Sequence, residues 1–286
     1  EETIPLSWTE QGNSKNEIKI NYKKIKKNVY GFEGDLNSSE KTIVIDPIPV
    51  RLWGTFYGNS NYTNQGTKIS IDNFNNVYYS GSTAHTVNIA TSGTHQPFLN
   101  GLNDGFIIKF NTNGFRLWGT FYGGNNNDGI IDFEIKNNYI IFTGTTDSSN
   151  NISTNSSQYN SGNGHPSSVY DCFIAKINLD GIRIWGRYFG GEAADYARNI
   201  TIDLNNNIIL TGVTHSINNI TTSGSFKEIK TQPVDYNGLM ESFVAKFNEN
   251  GNLIWSTYYG KCEVKSVDTD SNSNIFILSL GYFFSK

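Results

Sequence analysis

The chain has 286 residues, a mass of 31.9 kDa and a formal net charge of −4. This length suits one large domain or two small ones, and an acidic chain offers no overall positive field for nucleic acid or anionic lipid. Charged residues make up 17% of the chain against a usual share of about 25%, whereas 39 asparagines and 28 glycines accompany many aromatic residues. This composition favours short strands and tight turns and argues against a helical bundle or a parallel α/β sheet.

The first segment, residues 1–40, carries a local excess of lysine. Six lysines and one acid, Glu17, lie between Lys15 and Lys27, and the lysines alternate with apolar residues at the spacing of a strand. A strand with a solvated lysine face explains this pattern better than a nucleic-acid site, because the chain as a whole is acidic. We therefore expect no nucleic-acid partner.

Membrane and disulfide-rich classes are also disfavoured. No apolar run approaches the ~18 residues that a membrane-spanning helix needs. Cys172 and Cys262 are 90 residues apart in different sequence units, a spacing that fits neither a zinc site nor a disulfide scaffold. We expect no membrane-spanning segment and two unpaired thiols.

The rest of the chain, residues 41–286, is organised by a repeat around tryptophan. Successive tryptophans are 65, 67 and 70 residues apart, at Trp53, Trp118, Trp185 and Trp255. The string around Trp118, Arg-Leu-Trp-Gly-Thr-Phe-Tyr-Gly, recurs with small changes around the others. A strand-like segment such as Asp104–Asn111 and an Asn-Gly or Asp-Gly turn precede each of the last three, which is the signal of a β-hairpin.

A second hairpin with an Asn-rich turn follows the tryptophan, for example Ile69–Asp72 turning into Val77–Gly81. One unit therefore holds four strands, which we name A to D: A and B flank the Asn-rich turn, and C and D flank the Gly turn. Four-stranded units repeated head to tail are typical of β-propeller blades, which usually take ~40–50 residues. The longer period here reflects about twenty loop residues between B and C. The sequence predicts an all-β propeller.

Residues that recur in every unit are predicted to be structural. Each tryptophan lies on one face of strand D, beside a small residue on the other face, at Gly54, Gly119, Gly186 and Ser256. Packing between blades explains this recurrence better than a ligand platform. By the same reasoning, recurring lysines and acids of strand C form a structural charge network, with Lys109, Lys176 and Lys246 beside Asp104, Asp171 and Glu241.

Three strings of the repeat stand out: Leu-Trp-Gly-Thr-Phe-Tyr-Gly-Gly, Phe-Ile-Ala-Lys-Ile-Asn-x-Asp-Gly and Asn-Ile-Ala-Thr-Ser-Gly-Thr-His-Gln. They resemble a known family, the SBBP or seven-bladed β-propeller repeat. The resemblance covers Ile43 to about Gly281, and Val44–Pro47 is similar to the junction where such arrays follow an upstream β-domain. It implies that residues 1–40 are the tail of that domain. It also implies a secreted or cell-surface bacterial protein, with no common catalytic activity.

Counting strands gives a blade number. Thr42–Asp46 and Arg51–Tyr57 supply C and D, three complete units follow, and a final A and B lie near Val267–Asp270 and Ile275–Leu280. These 16 strands make four blades if the last A and B pair with the first C and D, and such closure removes exposed edges. The alternative is a fragment of a larger propeller.

Function is expected on one rim of the propeller. The D-to-A and B-to-C connections emerge on the same rim, which carries every long loop, and such loops commonly hold binding residues. Four binding candidates there are unrepeated, His85, Asp147, Glu192 and His215, and two more, Asp128 and Asp195, follow a double glycine and recur in only two units. Further loop candidates are His95, His165, Tyr159, Tyr170, Phe226 and Tyr236.

Asp268, Asp270 and Asn272 resemble the start of a calcium loop, which makes calcium the one cofactor that the sequence suggests. The glycine and the closing glutamate of an EF-hand are missing, so an Asp-initiated turn is the better interpretation. We expect no other metal or cofactor.

Three functions remain open. The preferred one is a non-catalytic secreted or cell-surface module for adhesion, scaffolding or recognition of a glycan or protein, because the rim is rich in Asn, Tyr and Ser and poor in charge. The second is a carbohydrate-active enzyme that uses Asp128, Glu192 and Asp195, which requires carboxylates within ~10 Å of one another. The third is a structural subunit of a surface filament or assembly, joined through residues 1–40.

Overall fold

The computed structural model describes residues 5–12, 14–26, 29–34, 42–46, 53–55, 64–86, 88–155, 170–230 and 240–281. Every regular element within these ranges is a β-strand, so the predicted all-β class is confirmed. Spatial contacts divide the chain into two compact units, Glu1–Thr55 and Phe56–Lys286. The limit predicted after residue 40 follows the sequence repeat rather than spatial contacts, and it stays a prediction.

The N-terminal unit contains short strands in its described part: β1 Leu6–Gln11, β2 Ser14–Glu17, β3 Ile20–Lys26, β4 Val29–Gly34 and β5 Thr42–Asp46. β1 lies between β2 and β5 in an antiparallel sheet, and β3 pairs with β4. The lysine-rich segment thus forms two strands rather than the predicted one. Its exposed Lys23 forms an ion pair with Glu33, with Nζ 3.1 Å from Oε2.

Thr42–Asp46 has a different partner from the predicted one. In the structure it pairs with Leu6–Gln11, so its assignment to strand C of a blade is wrong. Its consecutive β-branched residues, Ile43, Val44 and Ile45, favour a strand, but they do not specify which strand lies beside it. Most of Arg51–Tyr57 lies outside the described residues, and half-buried Trp53 belongs to a described stretch, 53–55, without strand structure.

The C-terminal unit is a β-propeller. Three antiparallel sheets each contain four strands in sequence order. Blade 1 comprises β6 Asn64–Ile71, β7 Val77–Thr83, β8 Asp104–Phe110 and β9 Arg116–Tyr122; blade 2 comprises β10 Asp128–Lys136, β11 Tyr139–Thr146, β12 Asp171–Asn178 and β13 Arg183–Phe189; blade 3 comprises β14 Asp195–Ile202, β15 Ile208–Thr214, β16 Glu241–Phe247 and β17 Leu253–Gly260. A half-blade follows, with β18 Cys262–Thr269 paired to β19 Ile275–Gly281.

The predicted blade architecture is confirmed, but the blade number is not. The described residues show three blades and a half-blade, and they show no pairing of N-terminal with C-terminal strands that would close four blades. A seven-bladed ring is likewise not shown by the described part of the chain.

The hydrophobic core lies between adjacent sheets. Ile107 of blade 1 packs with Phe133 and Phe173 of blade 2. On the other side of blade 2, Cys172 packs in a cluster with Phe243 of blade 3. Cys172 and Cys262 are both free thiols, as predicted.

Aspartates shape the Asn-rich turns between strands A and B. Asp72 Oδ1 accepts hydrogen bonds of 2.9 Å from the backbone amides of Phe74 and Asn76, and its Oδ2 accepts one of 2.9 Å from Asn76 Nδ2. Asp203 and Asp270 accept the corresponding three bonds in their own turns. The predicted turn chemistry is therefore confirmed.

Lysines of strand C pair with these turn aspartates. Nζ lies 2.9 Å from Oδ2 in the pair Lys246–Asp203 and 3.9 Å from it in the pair Lys109–Asp72. The predicted pairing of these lysines with the acids at the start of the same strand C is wrong. The lysine and the acid of one strand C are five residues apart in the sequence. Five residues of extended strand span about 16 Å, which separates the two charges.

Strand B carries a glycine at one repeated position because an aromatic ring of strand C lies against it. Gly212 lies opposite Phe243, and a Cβ on Gly212 would lie 2.6 Å from Phe243 Cζ and 2.3 Å from Tyr196 O. The pair Gly144 and Phe173 repeats this contact in blade 2. Ser279 holds the same position in the half-blade, where the described residues include no strand C.

We expect Gly212→Ala to lower the free energy of unfolding by about 1–3 kcal/mol, the usual cost of overpacking a core. Ser279→Ala is the matched control and should change it by no more than about 0.5 kcal/mol. Urea denaturation followed by tryptophan fluorescence measures both. Equal losses at the two positions would rule out the ring contact as the reason for the glycine.

The long B-to-C connections, which the sequence identifies as loops, are partly structural. Thr91 N donates a hydrogen bond of 2.8 Å to Gly119 O, so the connection of blade 1 runs back along strand D of its own blade. A Cβ on Gly119 would lie 2.1 Å from Ile89 O, which explains the small residue beside the tryptophan. Buried isoleucines anchor this connection and its counterparts, at Ile89, Ile152 and Ile220. The connections thereby cover the outer edge of each blade.

Candidate functional site

The candidate functional face is the rim that carries the long connections, which we call the long-loop rim. It comprises the B-to-C connections 84–103, 147–170 and 215–240 and the D-to-A connections 123–127 and 190–194. Residues 87, 156–169 and 231–239 of this rim lie outside the described residues, and with them three predicted candidates, Tyr159, His165 and Tyr236.

Backbone hydrogen bonds join the two kinds of connection. Leu102 N donates to Asn126 O at 3.0 Å, and His215 N donates to Ala194 O at 2.9 Å. The D-to-A and B-to-C connections therefore lie together on one rim, as predicted.

Two candidates, Asp128 and Asp195, lie buried at the start of strand A. Asp128 Oδ2 accepts hydrogen bonds of 2.7 Å from Gly124 N and from the hydroxyl of Ser148. Asp195 Oδ2 is held in the same way, by a glycine amide at 2.7 Å and by the hydroxyl of Ser216 at 3.0 Å. The recurrence seen in two units of the sequence thus extends to the hydrogen bonds.

Each of these aspartates lies beside an acid at the start of strand C in the preceding blade. Asp104 Oδ1 and Asp128 Oδ2 would lie 2.4 and 2.8 Å from a Cβ on Gly123. Asp171 and Asp195 repeat this arrangement at the next junction, where both distances to the corresponding Cβ position are 2.7 Å. A glycine at this place leaves room for two carboxylates between neighbouring blades.

Burial raises the pKa of both strand-A aspartates. The pKa of Asp128 rises to about 6 and that of Asp195 to about 7 because the charged forms lose their hydration. The negative charges of Asp104 and Asp171 add to these shifts, whereas hydrogen bonds from threonine, glycine and serine oppose them. The two blade junctions are therefore sensitive to pH.

The junction with the half-blade replaces the second acid. Cys262 stands where the other blades have Asp128 and Asp195, and the remaining acid, Glu241, forms an ion pair with Lys227. One acid with a lysine thus takes the place of two acids.

Two other candidates bind backbone amides of the rim. Asp147 Oδ1 accepts a hydrogen bond of 2.5 Å from Asn127 N. Glu192 accepts bonds of 2.8 and 3.0 Å from the amides of Ile217 and Asn218. Both carboxylates therefore stabilise loop conformation.

The histidines occupy separate places. His85 is buried at the position that Ser148 holds in blade 2, next to the threonine that ends strand B. His215 O accepts a hydrogen bond of 2.8 Å from Lys230 Nζ, and burial together with this lysine lowers the pKa of His215. Burial and Arg183 lower the pKa of His95 to about 4, so this side chain is neutral at pH 7. The predicted histidines thus form no common site in the described part of the rim.

A cavity of about 270 Å³ opens at the starts of the A strands on the long-loop rim. Of the six binding candidates, Asp128 lines it. The sequence missed most of the other lining residues, because they come from three blades and share no motif, among them Gln65, Ser82, Asn103, Thr145 and Tyr196. Tyr170, noted in the sequence as a loop aromatic, also lines this cavity.

The same rim exposes large apolar side chains. Phe98 is 75% exposed, Leu102 is 70% exposed and Ile229 is 81% exposed. Phe98 and Ile229 hold equivalent positions, each two residues after a residue whose carbonyl accepts a hydrogen bond from strand D. Blades 1 and 3 therefore present an apolar residue at the same place on the rim.

The calcium candidates belong to the turn of the half-blade. Asp270 binds amide groups with both carboxylate oxygens, and Asp268 Oδ1 accepts a hydrogen bond of 2.7 Å from Thr269 N. No group of three or more His, Cys, Asp or Glu side chains is arranged for a metal ion in the described ranges. Calcium binding at Asp268, Asp270 and Asn272 stays a prediction.

Within the described ranges, no helix has the length and apolar character needed to cross a membrane.

Comparisons with known proteins agree with the fold. The family model SBBP, a Beta-propeller repeat, matches residues 184–221, from strand D of blade 2 into the long connection of blade 3. The chain is also 26% identical over 235 residues to an uncharacterized WD repeat-containing protein, L264, of Acanthamoeba polyphaga mimivirus. That match covers 73% of this chain, which spans 16% of the relative's length. The four-stranded sheets, the SBBP match and the likeness to a WD-repeat protein together identify the C-terminal unit as a β-propeller of repeated blades.

Proposed function

We propose that the protein is a non-catalytic recognition module that binds a protein partner through the long-loop rim. The observation that carries this proposal is the exposure of Phe98, Leu102 and Ile229 on a rim otherwise rich in Asn, Ser and Tyr. Apolar patches rimmed by polar residues are typical of protein interfaces, and Phe98 and Leu102 lie four residues apart on one connection. The likeness to a WD-repeat protein supports a role in protein contacts.

The placement of the carboxylates also favours recognition over glycoside hydrolysis. Asp128 and Asp195 lie at different blade junctions, each beside its own neighbouring acid, and Glu192 binds two backbone amides. A glycosidase needs its acid and base on opposite sides of one bound sugar. We place the module outside the cell or on its surface, as the resemblance to the SBBP repeat implies.

The test uses the full chain, immobilised and exposed to the secreted and surface proteins of its source, with bound proteins identified by cross-linking. We expect Phe98→Ser and Ile229→Ser each to weaken binding of the captured partner about tenfold, equivalent to about 1.4 kcal/mol. Phe74→Ser is the matched control, because Phe74 is 74% exposed and lies in an A-to-B turn on the opposite rim. An equal loss with the control, or no loss with the rim variants, would contradict the proposal.

A further inference from the structure

The rim cavity is formed by the inner strands of three blades. Gln65 lies in β6 of blade 1, Gly129 and Ile131 in β10 of blade 2, and Tyr196 in β14 of blade 3. Its volume of about 270 Å³ lies just below the range of ~300–1,000 Å³ for sites that hold drug-sized ligands. A ligand of one small ring is the size that this cavity accommodates.

The lining offers both donors and acceptors of hydrogen bonds. Gln65, Ser82 and Thr145 line the cavity with an amide and two hydroxyl groups. Asn127 Nδ2 donates to Asp147 Oδ2 at 3.2 Å, and Asn103 Nδ2 lies 3.4 Å from Asp128 O. Each contact uses one N–H of the amide and holds the side chain in place, so the amide oxygen remains as a fixed acceptor.

Two half-buried tyrosines supply aromatic surface. The ring centroids of Tyr170 and Tyr196 lie 6.0 Å apart at an interplanar angle of 36°. Tyr196 also meets the edge of His215, with 6.5 Å between centroids and an angle of 78°. The rings are therefore held by neighbours, and they combine an apolar face with a polar hydroxyl.

The charge of the lining selects among ligand classes. Asp128 is the ionisable carboxyl group of the lining, and it is buried and bound by Gly124 N and the Ser148 hydroxyl. No lysine or arginine is among the described lining residues, so a phosphate or nucleotide lacks its usual partners. Aliphatic lining comes from Ile130 and Ile131, too little for an apolar ligand.

We propose that this cavity binds one neutral sugar ring, either a free monosaccharide or the terminal residue of a glycan. Amide and hydroxyl groups bind the hydroxyls of the sugar, and the tyrosine pair packs against its C–H face. The site is distinct from the exposed apolar residues of the proposed protein interface, so each proposal stands without the other.

The test is saturation-transfer NMR on the full chain with three probes, methyl α-D-glucopyranoside, methyl β-D-galactopyranoside and N-acetyl-D-glucosamine, together with a glycan array. We expect at least one probe or one set of glycans with a shared terminal sugar to bind. Tyr196→Ala should weaken that binding about tenfold, as the loss of one ring contact predicts. Gln65→Ala, at an exposed position, provides the same test if Tyr196→Ala fails to fold.

Tyr259→Ala is the matched control, because Tyr259 is a partly exposed tyrosine of β17 that does not line the cavity. Monosaccharide NMR signals that are lost in Tyr196→Ala and kept in Tyr259→Ala support a free-sugar site. Binding seen only on the glycan array, lost in Tyr196→Ala and kept in Tyr259→Ala, supports a site for a glycan terminus. Absence of binding in both assays, or equal binding by wild type and both cavity variants, would overturn the proposal. Phe98→Ser should leave sugar binding unchanged, which separates this outcome from failure of the protein interface.

Discussion

Replacing Trp118 by alanine is expected to lower the free energy of unfolding by about 3–5 kcal/mol. The indole is 8% exposed and joins two blades, since its Nε1 donates a hydrogen bond of 2.8 Å to Leu179 O in the C-to-D turn of blade 2. Gly181 of that turn lies against the ring, where a Cβ would be 3.0 Å from Trp118 Cε3. Alanine would leave a cavity at the junction and remove the shorter of two hydrogen bonds to Leu179 O, the other being donated by Lys109 Nζ at 3.4 Å. Urea denaturation followed by circular dichroism measures the loss.

Trp255 provides the matched control for this prediction. It is half-buried and packs against the buried cluster of Ile209, Val244 and Val267, but the described half-blade has no C-to-D turn that could accept its indole N–H. We expect Trp255→Ala to cost about 1–2 kcal/mol, from hydrophobic contact. Equal losses for the two variants would contradict the assignment of the larger effect to the turn of the following blade.

The blade itself could be predicted from the sequence because each strand carries its own local signal. Strand C of blade 1 was expected at Asp104–Asn111 and is found at Asp104–Phe110. The turn at Asp72 follows from the ability of an aspartate to bind the next backbone amides. Recurrence of the tryptophans likewise identified residues that join blades, as Trp118 and Trp185 do.

Contacts between distant parts of the chain could not be predicted in the same way. The β-branched residues of Thr42–Asp46 favour a strand, yet its partner, Leu6–Gln11, depends on tertiary context. The course of the B-to-C connection along strand D depends on backbone bonds such as that from Thr91 N to Gly119 O, which carry no side-chain code. The cavity requires residues from three blades, and single residues such as Gln65 give no signal in a sequence read alone.

The second large effect is expected from pH. The free energy of unfolding of the wild-type protein should fall as pH rises. The substitution Asp195→Asn should abolish this fall. The pKa of Asp195 is about 7 in the folded protein because of burial, with a contribution from Asp171, and near ~3.9 in an unfolded chain. Between these values the folded state binds more protons than the unfolded state, so the free energy of unfolding falls with rising pH.

The size of this effect follows from the two pKa values. Each unit of pKa difference corresponds to about 1.4 kcal/mol, so ionisation of Asp195 costs about 4 kcal/mol once the pH has passed about 7. Asparagine is neutral throughout and still offers an acceptor to Gly191 N and Ser216. The variant should therefore gain about 4 kcal/mol relative to wild type between about pH 4 and pH 8. Urea denaturation at a series of pH values measures the difference.

Asp270→Asn is the control, because the sign of its effect is opposite. Hydrogen bonds from Asn274 and Asn272 lower the pKa of Asp270. Its stabilising contribution is thus present above the unfolded pKa of ~3.9 and is lost as pH falls through the lowered folded value. Asp270→Asn should therefore lose stability relative to wild type as pH rises, whereas Asp195→Asn gains it. Parallel pH profiles for wild type and Asp195→Asn would show that the junction carboxylates ionise as freely in the folded protein as in the unfolded chain.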